Sequence, residues 1–284
     1  MSDKEAASAA RKRLASNAEP PELLYHYTQP TTGVSILQSR EIRLSPYADT
    51  QDPREIQSWV YNGIDAVRDA YPEAEEVFDR ILRRSVRLAC FTVDREPAPE
   101  AAIYSQYHRG WARASMWDRY GDQRAGMCLV FDRDKLVRAL AAEAQKEITQ
   151  ANKAEVLSNS VDSRMYTADK VKYLDQQAVV ALRGVIDPKA ALVSHEFRRV
   201  TDELYMIKGR DWAGEREYRL IASCPDLDDG DCFKLPIVGS LVAVVVGEKF
   251  SGLRPPEAGD VPVFRCTWSG GAPELADFTE SVEG

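Results

Sequence analysis

The apolar positions near the start of the chain change period within twenty residues. "LLYHYT" is an apolar and aromatic run interrupted only by His26. It predicts a strand over 23–28, with Leu24, His26 and Thr28 on one face and Leu23, Tyr25 and Tyr27 on the other. "GVSILQ" then predicts a short helix over 33–38, and "EIRLS" a second strand over 41–45. After the polar loop "PYADTQDPRE", Asp52-Pro53 has the form of a helix start, with Asp as cap and Pro in the first turn. Ile56, Trp59, Val60 and Ile64 recur at helical spacing, so two helices are predicted over 53–70 and 73–84. "SVRLACFTV" is a strand. "RASMWDRYGDQRAGMCLVFD" combines a short helix, a Gly-containing turn and a strand over 126–131.

The middle of the chain reads as helical. A long helix with charged faces is expected from 134 to about 157, and a second helical region over 175–207, interrupted at Asp187-Pro188. "EREYRLIAS", "FKLPI", "SLVAVVVGEKF" and "VPVFRCTW" return to strand periodicity. Strands at both ends with helices between them do not make a regular strand-helix alternation. The expected class is α+β: a mixed, largely antiparallel sheet core with an inserted helical layer. The expected organisation is a flexible arm over 1–22, one domain over 23–268 with its helical insertion at about 134–207, and an acidic mobile tail over 269–284.

Composition narrows the partners. Of 284 residues, 44% are hydrophobic and 29% charged, enough apolar material for a substantial core. A net charge of -8 argues against a basic nucleic-acid coat, although a local basic groove stays open. No apolar run approaches the ~20 residues that span a bilayer, and the N-terminus lacks an apolar signal core. The five cysteines are odd in number and widely spaced, with no C-x-x-C, so reduced thiols in a cytoplasmic protein are expected rather than disulfides or structural zinc.

Three stretches offer chemistry. His26 is either a core histidine bonded to a backbone carbonyl or a hydrogen-bond donor to a ligand; its strand position alone does not decide. In "WAGEREYRLI", Glu215, Glu217 and Arg219 share a face if the strand is regular. They are either a solvated edge with a Glu-Arg pair or a carboxylate held at a pocket mouth. In "SMWDRYGDQRAGMCLVF", Met116 and Tyr120 share a helical face, and Trp117 or Tyr120 either packs in the core or stacks on a base. G-x-x-x-x-G-K-[ST], G-x-G-x-x-G and H-E-x-x-H do not occur, and three histidines leave little for a multi-histidine metal site.

Taken in order, "LYHYT", "IRLSPYADTQDPRE", "LACFTV", "SMWDRYGDQRAGMCLVFD", "VKY" and "KGRDWAGEREYRLI" resemble the bacterial domain-of-unknown-function family twenty-nine seventy-one over about residues 23 to 250. The chain departs from that pattern at Gln51, where Asn is usual, and at Thr92, where Ser is usual. A His-bearing first strand, a Thr-rich turn and helix, a second strand ending in Ser or Tyr and a late strand opening with Glu also resemble the ADP-ribosyltransferase layout. That second resemblance implies NAD as substrate and no metal. It makes Glu217 the catalytic acid, with Glu215 the first acid of the pair and His26 on the ribose. Tyr27, Thr28, Ser45, Tyr47, Trp117 and Tyr120 become candidate NAD contacts. The function it implies is an intracellular NAD-consuming transferase or glycohydrolase. Such an enzyme acts on a protein or nucleic acid as a toxin or defence effector, with a protein partner allowed and no membrane role. Two other classes stay open: a non-catalytic nucleotide- or partner-binding module, and a metal-independent RNA-directed enzyme.

Overall fold

The structure is a computed structural model. It describes residues 3–15, 22–50, 52–56, 59–62, 73–96, 106–153, 166–175, 179–181, 204–224 and 231–278. The six α-helices among them are α1 (Asp3–Ala15), α2 (Pro30–Ser39), α3 (Pro53–Ile56), α4 (Ala74–Arg84), α5 (Ala114–Arg119) and α6 (Arg133–Lys153). The strands are β1 (Leu23–Thr28), β2 (Glu41–Pro46), β3 (Val60–Asn62), β4 (Val86–Thr92), β5 (Met127–Asp132), β6 (Tyr166–Lys170) and β7 (Lys172–Tyr173). They continue as β8 (Val179–Ala181), β9 (Ile207–Lys208), β10 (Glu217–Ser223), β11 (Phe233–Pro236), β12 (Leu241–Val246), β13 (Val263–Ser269) and β14 (Ala272–Asp277). The fold is α+β, around a ten-stranded sheet that is antiparallel at every described pairing except β12–β13.

The sheet forks at β4. Along one edge β4 pairs with the whole of β10, from Glu217↔Thr92 to Ser223↔Val86. Its other edge is divided. β2 takes the start, at Pro46↔Arg87 and Ser45↔Leu88, and β1 takes the end, at Tyr25↔Thr92. Beyond that point β1 continues onto β5 and β2 onto β11. Residues Ala89, Cys90 and Phe91 therefore have no ladder partner on the divided edge. Unpaired backbone groups inside a protein need other partners, and the fork is where such a partner is found, as described below.

Alternation along the strands builds a core on each side of the sheet. Leu24, Leu129, Phe131, Leu220 and Val244 pack with Leu136 and Leu140 of α6 on one side. Tyr25, Tyr27, Cys128, Val130 and Val245 pack with Trp111, Trp117 and Leu14 on the other. A third cluster gathers Tyr47, Trp59, Phe78, Leu82, Tyr205 and Ile221.

Several expectations are corrected. The arm expected over 1–22 contains a packed helix. Leu14 is fully buried, and the C-terminal carbonyls of α1 at Arg13 and Leu14 accept from the Arg109 guanidinium (2.7 Å) and the Trp111 indole (3.1 Å). Those bonds satisfy acceptors that a helix end otherwise leaves open. The expected tail from 269 is a strand as far as Asp277, because Pro273 and Leu275 face the core side while β13 supplies a complete ladder. The helix expected over 53–70 ends at Ile56. Val60–Asn62 is a strand paired in parallel with β8, so helical spacing of apolar residues was overridden by tertiary pairing. β8 and β9 likewise interrupt the helical region expected over 175–207. Gln51, Ile64 and Asp187-Pro188 lie outside the described residues. All five cysteines are free thiols. Among the described residues, no helix is long and apolar enough to cross a membrane.

Candidate functional site

A cavity of about 410 Å³ opens at the fork. His26 comes to it from β1, Ser45 and Arg43 from β2, Cys90 from β4, Tyr120 from the end of α5, Lys208 from β9, and Glu215, Glu217 and Arg219 from the β10 region. Tyr27 and Trp212 also line it.

His26 fills the gap in the sheet. Its Nδ1 lies 3.0 Å from the Cys90 carbonyl, one of the groups left without a ladder partner. A carbonyl only accepts, so Nδ1 carries the proton and neutral His26 offers Nε2 as an acceptor. The two readings of this residue are therefore both realised: it holds a backbone carbonyl and it lines the cavity. The ring also leans on Phe91, with centroids 5.5 Å apart. Burial lowers the His26 pKa from the ordinary value, and the bond to Cys90 only partly opposes this. The sign follows. The unfolded chain takes up a proton on this histidine at higher pH than the folded chain does. Neutral His26 thus stabilises the fold above the ordinary histidine pKa, and that contribution is lost as pH falls below it. A proton NMR titration of the His26 ring should show no protonation step at or above pH 6.5; a midpoint at or above that value contradicts this placement.

Glu215 and Glu217 reach the cavity by a route different from regular strand alternation. Glu215 ends a 3-10 turn, Arg210–Glu215, and Arg216 adopts the left-handed region with φ 47° before β10 begins. The turn brings Glu215 back beside Glu217. Both are buried. One lysine joins them: Lys208 Nζ donates to Glu215 Oε2 at 2.8 Å and to Glu217 Oε2 at 3.0 Å. Arg219, itself fully buried, donates from Nε to Glu217 Oε1 at 2.6 Å, and its Nη2 binds both Glu217 Oε2 and Glu55. Tyr120 donates its hydroxyl to Glu215 Oε1 at 2.7 Å. The Glu217 backbone N–H donates to the Tyr173 hydroxyl at 2.7 Å.

Burial alone drives a carboxyl toward its neutral form. At Glu217 the Arg219 and Lys208 charges outweigh that penalty and hold the pKa down to about 2. Burial likewise opposes the Lys208 ammonium, yet Glu217, Glu55 and Glu215 together hold its pKa above the usual lysine value. At Glu55 burial prevails over Arg219 and the carboxyl is raised. Burial, then Glu217, pushes the Cys90 thiol up, which removes it as a ready thiolate nucleophile.

The cavity brings together six of the nine candidate residues: His26, Tyr27, Ser45, Tyr120, Glu215 and Glu217. Thr28, Tyr47 and Trp117 do not line it. Thr28 packs beside Gly33. Tyr47 turns into the third core cluster, its ring centroid 4.9 Å from that of Tyr205. Trp117 packs edge-on against Tyr27 and donates to the Trp111 carbonyl at 2.8 Å. Glu55, Lys208 and Trp212 were given no role by sequence reasoning. Their one signal was position, inside the "QDPRE" and "KGRDWAGERE" stretches on either side of recognised residues.

No curated protein and no solved structure matches the chain. A family model described as "Protein of unknown function (DUF2971)" matches residues 116–220. The matched segment begins at Met116 and holds Tyr120, Lys208, Glu215, Glu217 and Arg219, while His26 lies upstream of it. Over that segment the chain is similar to the DUF2971 family.

Proposed function

We propose that the cavity at the fork binds NAD by its nicotinamide riboside end and cleaves the nicotinamide–ribose bond, as an ADP-ribosyltransferase or glycohydrolase acting in the cytoplasm. The observation that carries this reading is the convergence of His26 and Glu217, from strands on opposite edges of β4, on one cavity. Its volume lies within the ~300–1,000 Å³ range of small-molecule sites. Among the described lining residues, the carboxyl groups of Asp49, Asp52, Glu55, Glu215 and Glu217 outnumber the permanent cations Arg43, Lys208 and Arg219. Such a site suits the cationic pyridinium end of the dinucleotide better than its diphosphate.

In this reaction the bond electrons leave with the nicotinamide, which departs neutral, and positive charge develops on the ribose. A carboxylate directed at that charge stabilises the transition state more than the ground state. Glu217 has that role, with Glu215 beside it. His26 Nε2 accepts from a ribose hydroxyl and orients the sugar. Water, or a hydroxyl or amine of a macromolecular acceptor, attacks the ribose carbon and gives up its proton. A role as a toxin or defence effector agrees with such an acceptor.

Glu217→Gln tests the assignment. Loss of one preorganised electrostatic contact of this kind lowers turnover by roughly a hundredfold or more. Nicotinamide release from labelled NAD should therefore fall by at least that factor while the circular dichroism spectrum is unchanged. Release at the wild-type rate removes Glu217 from the chemistry.

One observation favours a second reading. Both Glu217 oxygens are engaged by Lys208 and Arg219, an arrangement suited to holding a ligand without turning it over. A binding module gives saturable NAD binding in calorimetry with no nicotinamide released.

A further inference from the structure

Lys208 is placed as few lysines are. It is 6% exposed, and its one ammonium serves two carboxylates that arrive from the same turn. The Trp212 ring lies 4.7 Å from Nζ and covers it. The groups facing this ammonium are Glu215 and Glu217 at hydrogen-bond distance, the Glu55 carboxyl and the Arg219 guanidinium through their charge. Tyr120 and Arg119 reach the same cluster through Glu215, and Tyr173 and Cys90 through Glu217.

Two buried carboxylates sharing one site cannot both ionise without a counter-charge; one of them takes a proton instead. Arg219 supplies such a charge to Glu217 and Glu55, but among the described residues it makes no bond to Glu215. Among the described residues, the other cation ion-paired with Glu215 is Arg119, whose side chain is half exposed and 3.5 Å away. Among the described residues, the bridge between the two acids is Lys208 alone.

We propose that Lys208 is a positioning residue for the acid pair: its ammonium lets Glu215 and Glu217 stay ionised side by side and directs both toward the cavity. This rests on the reading of the cavity as a site that uses those carboxylates. Lys208 forms and breaks no bond; it sets the acid limit of the pair that does the work.

The test is spectroscopic and does not need turnover. The infrared protonated-carboxyl band is followed against pH in wild type, Lys208→Met and Lys208→Arg. Each is referenced to the same protein carrying Glu215→Gln and Glu217→Gln. The midpoint of proton uptake by the pair should lie at least about one pH unit higher in Lys208→Met than in wild type. Lys208→Arg, which keeps the charge, should return it toward the wild-type position. Equal midpoints in wild type and Lys208→Met overturn the proposal. Lys208→Gln serves as a second neutral variant; if both neutral variants are unfolded at pH 7, Lys208 is a structural residue and the proposal falls. Nicotinamide release is measured in parallel. A wild type that releases none removes the NAD reading and leaves the infrared result on Lys208 standing.

Discussion

Replacing Arg219 with methionine should destabilise the protein by about 3–5 kcal/mol, the range for breaking a buried ion pair from one side. Arg219 is 0% exposed and Glu55 1% exposed, so in the wild-type fold each charge is held by the protein rather than by bulk water. Methionine fills much of the space and isolates the loss of charge. Among the described residues, Glu55 then loses its ion-pair partner, and Glu217 keeps Lys208 as its one ion-pair partner. Against a total stability of roughly 5–15 kcal/mol the loss is large. Urea denaturation at pH 7 measures it directly. Adding Glu55→Gln to the variant should recover part of the loss, because the two residues are in contact and their effects are not additive. A loss under about 1 kcal/mol, the range of exposed pairs, would show that water reaches the cluster.

The pH dependence of that loss has a definite sign. In the wild-type fold the Glu217 pKa is depressed from 4.5 to about 2. Its pairing therefore stabilises the fold above pH 4.5, and the contribution is lost as pH falls toward 2. Without Arg219 the depression shrinks. The gap between wild type and variant should narrow between pH 5 and pH 3, as read from urea midpoints across that range.

Trp117→Ala should cost a similar amount, about 3–5 kcal/mol for deleting a large buried aromatic side chain. Its ring is 1% exposed, sits edge-on to Tyr27 at 5.0 Å, and holds the Trp111 carbonyl. The deletion also leaves that carbonyl without its donor, which adds to the cavity cost. Because Trp117 does not line the fork cavity, the proposed reading has NAD affinity of the folded variant staying within about threefold of wild type. A large loss of affinity at unchanged stability would return Trp117 to the ligand.

Those two residues mark the boundary of what was legible in the sequence. The strands β1, β4, β5, β10 and β12 were readable because each is a long run of β-branched, aliphatic or aromatic residues, and such runs bury on both faces of a sheet. His26 and Glu217 were readable as candidates because a polar residue inside such a run needs a reason. Trp117 and Tyr47 pack away from the cavity, which was not legible for a complementary reason. An aromatic ring serves a core and a ligand equally well, and local spacing does not say which side of the sheet it meets. Lys208 was invisible because its significance lies in a turn. Only the left-handed Arg216 returns Glu215 to the same ammonium that holds Glu217, and a non-glycine residue in that region carries little sequence signal. The expected helix over 53–70 failed at Val60, where pairing with β8 prevailed over an apolar spacing that fitted a helix equally well.

The shared strand at the fork also governs when the cavity comes into being. Thr92 and Glu215 are bonded to each other across 123 positions of chain, and His26 meets Cys90 across 64. Closing loops of that length costs entropy before any contact rewards it, and folds built on such contacts assemble slowly. The hairpin-like and helical parts are free to form while β4 still lacks one or both of its neighbours. A chain in which β4 lacked a neighbour would carry an open strand edge with Cys90 at its centre, a template for pairing with other chains. A ligand that binds only the completed cavity raises stability by mass action. It also shortens the time that edge spends uncovered at equilibrium, so the yield of soluble protein on refolding should rise with ligand concentration.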